Sequence, residues 1–146
     1  KGIGKAKHNG RLEILRKDPY LIIDGAHNEG GAAALAGMIR EYFAGKRVLL
    51  ILGVLGDKKI DRILEQLACV EADFAATEPD NPRKLSADAL CEKIRETGRS
   101  CVSLGNWERA CAYAVKKRDL YDAVFFSGSL YLIGRVRGRF YHDESK

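Results

Sequence analysis

No stretch of the 146-residue chain approaches the ~18 consecutive apolar residues that a transmembrane helix needs. The opening Lys1-Gly2-Ile3-Gly4-Lys5 carries no apolar signal segment. Membrane insertion and secretion are disfavoured, and a cytoplasmic protein is expected. No Cys-x-x-Cys pair occurs among Cys69, Cys91, Cys101 and Cys111, and no histidine stands at a ligand offset from any of them. A zinc site is disfavoured, and no metal ligand is assigned to the chain. The four cysteines could make two disulfides, but three of them fall at core-like positions in apolar patterns, as free cysteines do. No Gly-x-Gly-x-x-Gly occurs. Gly25 and Gly30 have P-loop spacing, but Gly31-Ala32 stand where the Lys-Ser/Thr pair should follow, so a phosphate cradle of that kind is excluded. No repeat and no low-complexity tract is present.

What is there is ordinary for one soluble globular domain: 46% hydrophobic and 31% charged residues. A chain of this size buries roughly two-thirds of its surface, enough for a core without staples. The net charge is +5, from 25 basic and 20 acidic residues. Nucleic acid is one partner that would explain it. The densest basic stretch, Lys116-Lys117-Arg118, is followed at once by Asp119, and a second group is Arg135, Arg137 and Arg139. These are scattered rather than gathered with aromatics, so no nucleic-acid partner and no membrane is expected. A phosphate-bearing small ligand or an acidic substrate explains the excess equally well.

Along the chain, Lys1 to Gly10 is polar and glycine-rich, a linker or a frayed end. Arg11 to Leu15 predicts a short strand ending in the turn Arg16-Lys17-Asp18-Pro19. Tyr20-Leu21-Ile22-Ile23 is a buried strand. Leu35, Met38, Ile39, Tyr42 and Phe43 form a helical stripe, closed by Gly45. Val48 to Leu52 is a fully apolar strand. Ile60, Ile63, Leu64 and Leu67 give the next stripe, and Ala72 to Thr77 the next strand. Ser86 predicts a cap for a helix carrying Leu90, Cys91 and Ile94. Cys101-Val102 is a weak strand, and Trp107, Ala110, Cys111, Ala114 and Val115 are helical. Ala123 to Phe126 is a strand, and Leu130 to Tyr141 a helix weakened by Gly134 and Gly138. All-apolar strands alternating with helices predict an α/β fold. It is a Rossmann-like three-layer sandwich, with a mostly parallel sheet of about five or six strands and helices on both faces.

Ligands of such sheets sit beyond the carboxyl ends of the strands, and the unusual residues fall there. Asp24-Gly25-Ala26-His27-Asn28 joins a strand to a helix; Asp24 and His27 form a polar pair, or Asp24 merely caps the helix and His27 is solvated. Lys58, in the Gly53 to Lys59 loop, suits a carboxylate or phosphate as a point charge, or is a surface lysine. Asp80-Asn81-Pro82-Arg83 sets an arginine fork behind a proline, or is a plain turn. Ser129 follows Gly128 at a helix start, where it also reads as an N-cap.

Taken in order, these landmarks resemble one family. Gly10-Arg11-Leu12-Glu13, Asp24-Gly25-Ala26-His27-Asn28, Leu52-Gly53-Val54-Leu55-Gly56-Asp57-Lys58, the Asn81-Pro82-Arg83 loop and Gly128-Ser129-Leu130-Tyr131-Leu132-Ile133-Gly134 are similar to the C-terminal domain of the folylpolyglutamate synthases, the folate branch of the Mur ligase superfamily. The resemblance runs from Gly10 to about Phe140. Small departures stand at His8-Asn9, Glu29 and Lys59, where the family commonly has Trp-Pro, Pro and Asp.

The resemblance implies an ATP- and magnesium-dependent ligase that phosphorylates a folate carboxylate and couples it to L-glutamate. It implies that 1–10 is a linker from an N-terminal ATPase domain of the same polypeptide. Residues 11–146 would be the glutamate ligase domain, inactive alone, in a monomeric enzyme. Carried over residue by residue, Arg11 and Asp24 would contact ATP and His27 would be catalytic. Lys58, Ser129, Asn28, Asn81 and Arg83 would bind glutamate. Magnesium ligands would lie in the other domain. A related ligase with another amino acid, and a stand-alone nucleotide- or small-molecule-binding module, are the alternatives.

Overall fold

The computed structural model describes residues 12–56 and 59–144. Arg11, Lys58 and residues 1–10, where the sequence predicts a linker, lie outside the described residues. A six-stranded sheet runs in the order β1-β2-β6-β3-β4-β5. Its strands are β1 (Leu12–Arg16), β2 (Tyr20–Asp24), β3 (Val48–Leu52), β4 (Asp73–Glu78), β5 (Cys101–Asn106) and β6 (Ala123–Ser127). Five are mutually parallel; β1 alone is antiparallel, paired with β2 at one edge. Three residues of turn, Lys17-Asp18-Pro19, between β1 and β2 leave no room for a crossover helix, so that pair has to be a hairpin.

The helices are α1 (Glu29–Tyr42), α2 (Ile60–Leu67), α3 (Ala87–Glu96), α4 (Trp107–Lys117) and α5 (Leu130–Glu144). The chain steps outward from β3 through β4 to β5, then returns to lay β6 between β2 and β3. Right-handed crossovers in opposite directions put their helices on opposite faces. Accordingly α1, α2 and α3 share one apolar core and α4 and α5 the other.

Side chains alternate along a strand, and the central strands feed both cores in turn. Leu49 and Ile51 point to α4 and α5, while Val48, Leu50 and Leu52 point to α1, α2 and α3. Val124 and Phe126 face one way, Ala123 and Phe125 the other. Burial on both faces explains why these strands read as unbroken apolar runs rather than alternating ones.

Helix starts follow side-chain chemistry. Asn28, Ser86 and Asn106 each accept from a backbone N–H of the first turn, those of Gly31, Ala89 and Arg109. Asp24 is therefore not the cap of α1; Asn28 is. All four cysteines are free; Cys91, Cys101 and Cys111 are buried and Cys69 is exposed. Among the described residues no helix is long and apolar enough to cross a membrane.

Candidate functional site

Asp24, Ser127 and Leu52 are neighbours across β2, β6 and β3, so these strands end level with one another. Beyond that line the chain leaves β2 toward α1 on one face and leaves β6 toward α5 on the other. Adjacent strands whose following helices diverge open a crevice between their loops. Here its walls are Ala26-His27-Asn28 and Gly128-Ser129.

Backbone hydrogen bonds lace the loops together. Gly128 N–H donates to the Ala26 carbonyl at 3.0 Å, and Gly53 N–H to the Ser127 carbonyl at 3.1 Å. Gly128 sits at φ +114, and a Cβ there would lie 2.5 Å from the Gly53 carbonyl oxygen. Only glycine allows that approach. A third link runs outward: Gly56 N–H donates to the Arg83 carbonyl at 2.8 Å and Leu85 N–H to the Val54 carbonyl at 3.0 Å. The four loops singled out in the sequence form one continuous rim.

A cavity of about 130 Å³ lies in the crevice, lined by His27, Leu55, Gly128, Ser129, Leu130 and Tyr131. The sequence landmarks contained Leu55, Leu130 and Tyr131 but gave them no role. Exposure of Leu130 and Tyr131 on the first turn of α5 is the feature that marks them.

His27 Nδ1 lies 2.9 Å from the Gly25 carbonyl oxygen. A carbonyl only accepts, so Nδ1 carries the proton and Nε2 is the basic nitrogen of the neutral ring. Asn28 Oδ1 accepts from Gly31 N–H at 2.8 Å, so what it can offer a ligand is its amide NH₂. Ser129, buried at the start of α5, accepts from Tyr131 N–H at 3.0 Å and retains an O–H to donate. In Asn28 and Ser129 the side-chain acceptor is occupied by local structure and a donor remains. Asp24 is fully buried at the end of β2, with its Oδ1 shielded from solvent and other interactions holding the residue.

Asn81 and Arg83 lie on the same rim but in a neighbouring place. Asn81 Oδ1 accepts from Arg83 N–H at 2.8 Å, and Asn81 lines a separate cavity of about 340 Å³ with Lys84 and Trp107. At the base of that loop Glu78 accepts from Ala87 N–H and pairs with Lys84, both at 2.9 Å. The Ala87 N–H above all, then Lys84, holds the Glu78 carboxyl below its ordinary 4.5.

A larger cavity, about 550 Å³, opens at the opposite end of the strands, near Arg47, Arg99 and Tyr121. Its polar groups are engaged with one another: Arg99 with the Ala68 carbonyl and Glu71, Arg47 over Tyr121, and Tyr121 with Asp73. Three of the basic residues noted in the sequence are likewise internally engaged. Arg118 donates to the Pro19 carbonyl, Arg135 pairs with Asp80 at 2.5 Å and lies over Trp107, and Arg137 pairs with Glu13.

Residues 10–130 match the model of the Mur ligase, glutamate ligase domain family. The chain belongs to that family. It is 30% identical over 138 residues to the dihydrofolate synthase/folylpolyglutamate synthase of Bacillus subtilis, covering 94% of this chain and 32% of that protein. The folylpolyglutamate synthase of Mycobacterium tuberculosis, solved with ADP and AMPPCP, superimposes with a TM-score of 0.80 at 31% identity, over 93% of this chain and 33% of that one. An Escherichia coli FolC in complex with DHPP and ADP gives 0.82 at 27% identity, over 97% and 33%. The domain thus spans about a third of the length of these relatives.

Proposed function

We propose that this glutamate ligase domain is the carboxyl-terminal part of an ATP-dependent amide ligase that adds L-glutamate to tetrahydrofolate through an acyl phosphate. On this reading 1–10 is the linker from an N-terminal ATPase domain, and 11–146 is the domain itself. The enzyme is a cytoplasmic monomer, and the isolated domain is inactive. The observation that carries the reading is the crevice between the β2 and β6 loops, where His27 and Ser129 line one cavity and Asn28, next to His27, caps α1.

Glutamate brings two carboxylates and an amine. The Ser129 O–H and the Asn28 amide suit a carboxylate, as does the N-terminus of α1. Lys58, and more distantly Asn81 and Arg83, serve the other carboxylate. His27 Nε2 takes the proton that the amine must lose as it attacks. In that attack the nitrogen bonds to the acyl carbon and phosphate leaves. Arg11 and Asp24 serve ATP, the co-substrate that gave the acyl phosphate. Asp24 is buried, so its part is to fix what lies against it at the rim.

The crevice is smaller than the roughly 300–1,000 Å³ of a site that encloses a whole ligand. It suits part of a substrate, with the remainder facing a second domain that excludes water from the intermediate. Among the described residues no group of three His, Cys, Asp or Glu gathers to hold a metal. Magnesium is assigned no ligand here, and no step runs through it.

The test is ADP release by the full-length parent polypeptide. A reduced folate, dihydropteroate or a cell-wall precursor is offered as acceptor, each crossed with glutamate or diaminopimelate. Release that requires both folate and glutamate supports the proposal. Release with the cell-wall precursor and diaminopimelate replaces the substrate. No release with any pair leaves a binding module and removes the role given to His27.

A further inference from the structure

The rim gives no role to Glu13, which closes the Gly-Arg-Leu-Glu landmark, or to the arginines of α5. The fold brings them together. β1 is an edge strand with a neighbour on one side only. Its pairing with β2 shifts register between Ile14 and Arg16, so the ladder alone pins its two ends poorly. Leu15 packs in the core of α4 and α5, and by the two-residue period Glu13 faces the same side. There Arg137 Nε donates to Glu13 Oε1 at 2.8 Å, and the Tyr141 hydroxyl donates to Oε2. Arg137 and Tyr141 are four residues apart on one helical face, so α5 grips both carboxylate oxygens at once. The next turn of contact is also directional: Arg16 donates to the Phe140 carbonyl at 2.8 Å. The residue beside Glu13, Leu12, is the register partner of Asp24.

We propose that Glu13 is a positioning residue: its grip by α5 holds the rim end of β1 in register beside Asp24 and so fixes the end of β2 that serves the nucleotide. An apolar residue would fill this half-buried position, but it would not fix direction; two hydrogen bonds to one carboxylate do. The proposal rests on the reading that Asp24 serves ATP.

The experiment uses the full-length parent enzyme with Glu13→Gln, Glu13→Arg, and Glu13→Arg combined with Arg137→Glu. Affinity for a non-hydrolysable ATP analogue, KM for ATP and for glutamate, and amide exchange across the sheet are measured. Glu13→Arg is expected to weaken analogue binding and raise KM for ATP by about fivefold. KM for glutamate should stay within about twofold. Exchange should quicken in Leu12–Arg16 but not in Val48–Leu52. Glu13→Gln should show the same pattern more weakly, and the charge-swapped pair should recover most of the loss. Unchanged analogue affinity would overturn the proposal, as would equal losses for both substrates with faster exchange throughout the sheet. A wild-type parent that binds the analogue yet never releases ADP sinks the ligase reading, while binding and exchange still decide Glu13. A parent that binds no nucleotide overturns both.

Discussion

Gly128→Ala tests the lacing of the rim most directly. The added methyl would stand 2.5 Å from the Gly53 carbonyl oxygen and 3.0 Å from Val54 Cγ1. A carbon against a carbonyl oxygen needs about 3.3 Å, so the β3 and β6 loops must part by roughly 0.8 Å. Neither obstacle is the tip of a flexible chain; the first is backbone. The backbone at φ +114 adds its own strain, about 1–2 kcal/mol for an L-residue outside the allowed regions. Overpacking of a tight contact costs about 1–3 kcal/mol. Together these lower stability by about 3 kcal/mol, which for a chain of this size lowers Tm by roughly 10 °C. Thermal unfolding followed by circular dichroism checks this. The same displacement moves Ser129 relative to His27, and a misplacement near 1 Å costs about 10²-fold in turnover. ADP release per folded molecule in the parent enzyme checks that. A Tm within about 2 °C of wild type would refute the packing argument. A normal rate from the destabilised variant would show that the lacing holds the fold but not the site.

Three further outcomes are expected. His27→Ala should cut turnover with the complete substrates about 10²- to 10⁴-fold and leave Tm nearly unchanged; equal rates would take His27 out of the chemistry. Glu78 contributes stability through a carboxyl held below its ordinary 4.5, first by Ala87 N–H. That stability is complete above this value and is lost as pH falls through the lowered one. The Tm gap between wild type and Glu78→Gln should therefore be open at pH 6 and close in acid, and a gap independent of pH would contradict the assignment. Thiol alkylation followed by mass spectrometry should label Cys69 first. Burial above all, with Cys91 beside it, pushes the Cys101 thiol up to about 12, so early labelling there would show that α3 does not cover β5.

The sequence made the layers legible because burial on both faces writes itself as apolar runs, as in Val48 to Leu52. Glycine and polar clusters marked the strand ends because loops there must turn sharply and cap a helix. The order of the strands was not legible: nothing local to Ala123–Ser127 says that it inserts between β2 and β3. The same limit hid the partners of Arg135 and Arg137, which lie on elements distant in sequence. It also hid the burial of Asp24, since depth depends on which strands flank β2. At the site, His27, Asn28 and Ser129 stood in recognisable motifs. Their hydrogen-bonding states did not, because a cap or a turn decides which atoms remain for a ligand. Arg11 and Lys58 lie outside the described residues, so their assignments stay with the family resemblance.

The position of β6 has a consequence for how the domain is made. Two halves of the sheet, the β1–β2 hairpin and the β3–β4–β5 ladder, touch along the sheet only through a strand that leaves the ribosome after both. Ser127 and Ala26, which meet in the crevice, are 101 residues apart in the chain. Until β6 arrives, β2 and β3 each present an unpaired apolar edge, the kind of surface that pairs with other chains. Contacts of such long range are slow to form. The crevice is thus among the last features to assemble during synthesis, and a chain stalled before residue 123 carries two sticky edges and no site.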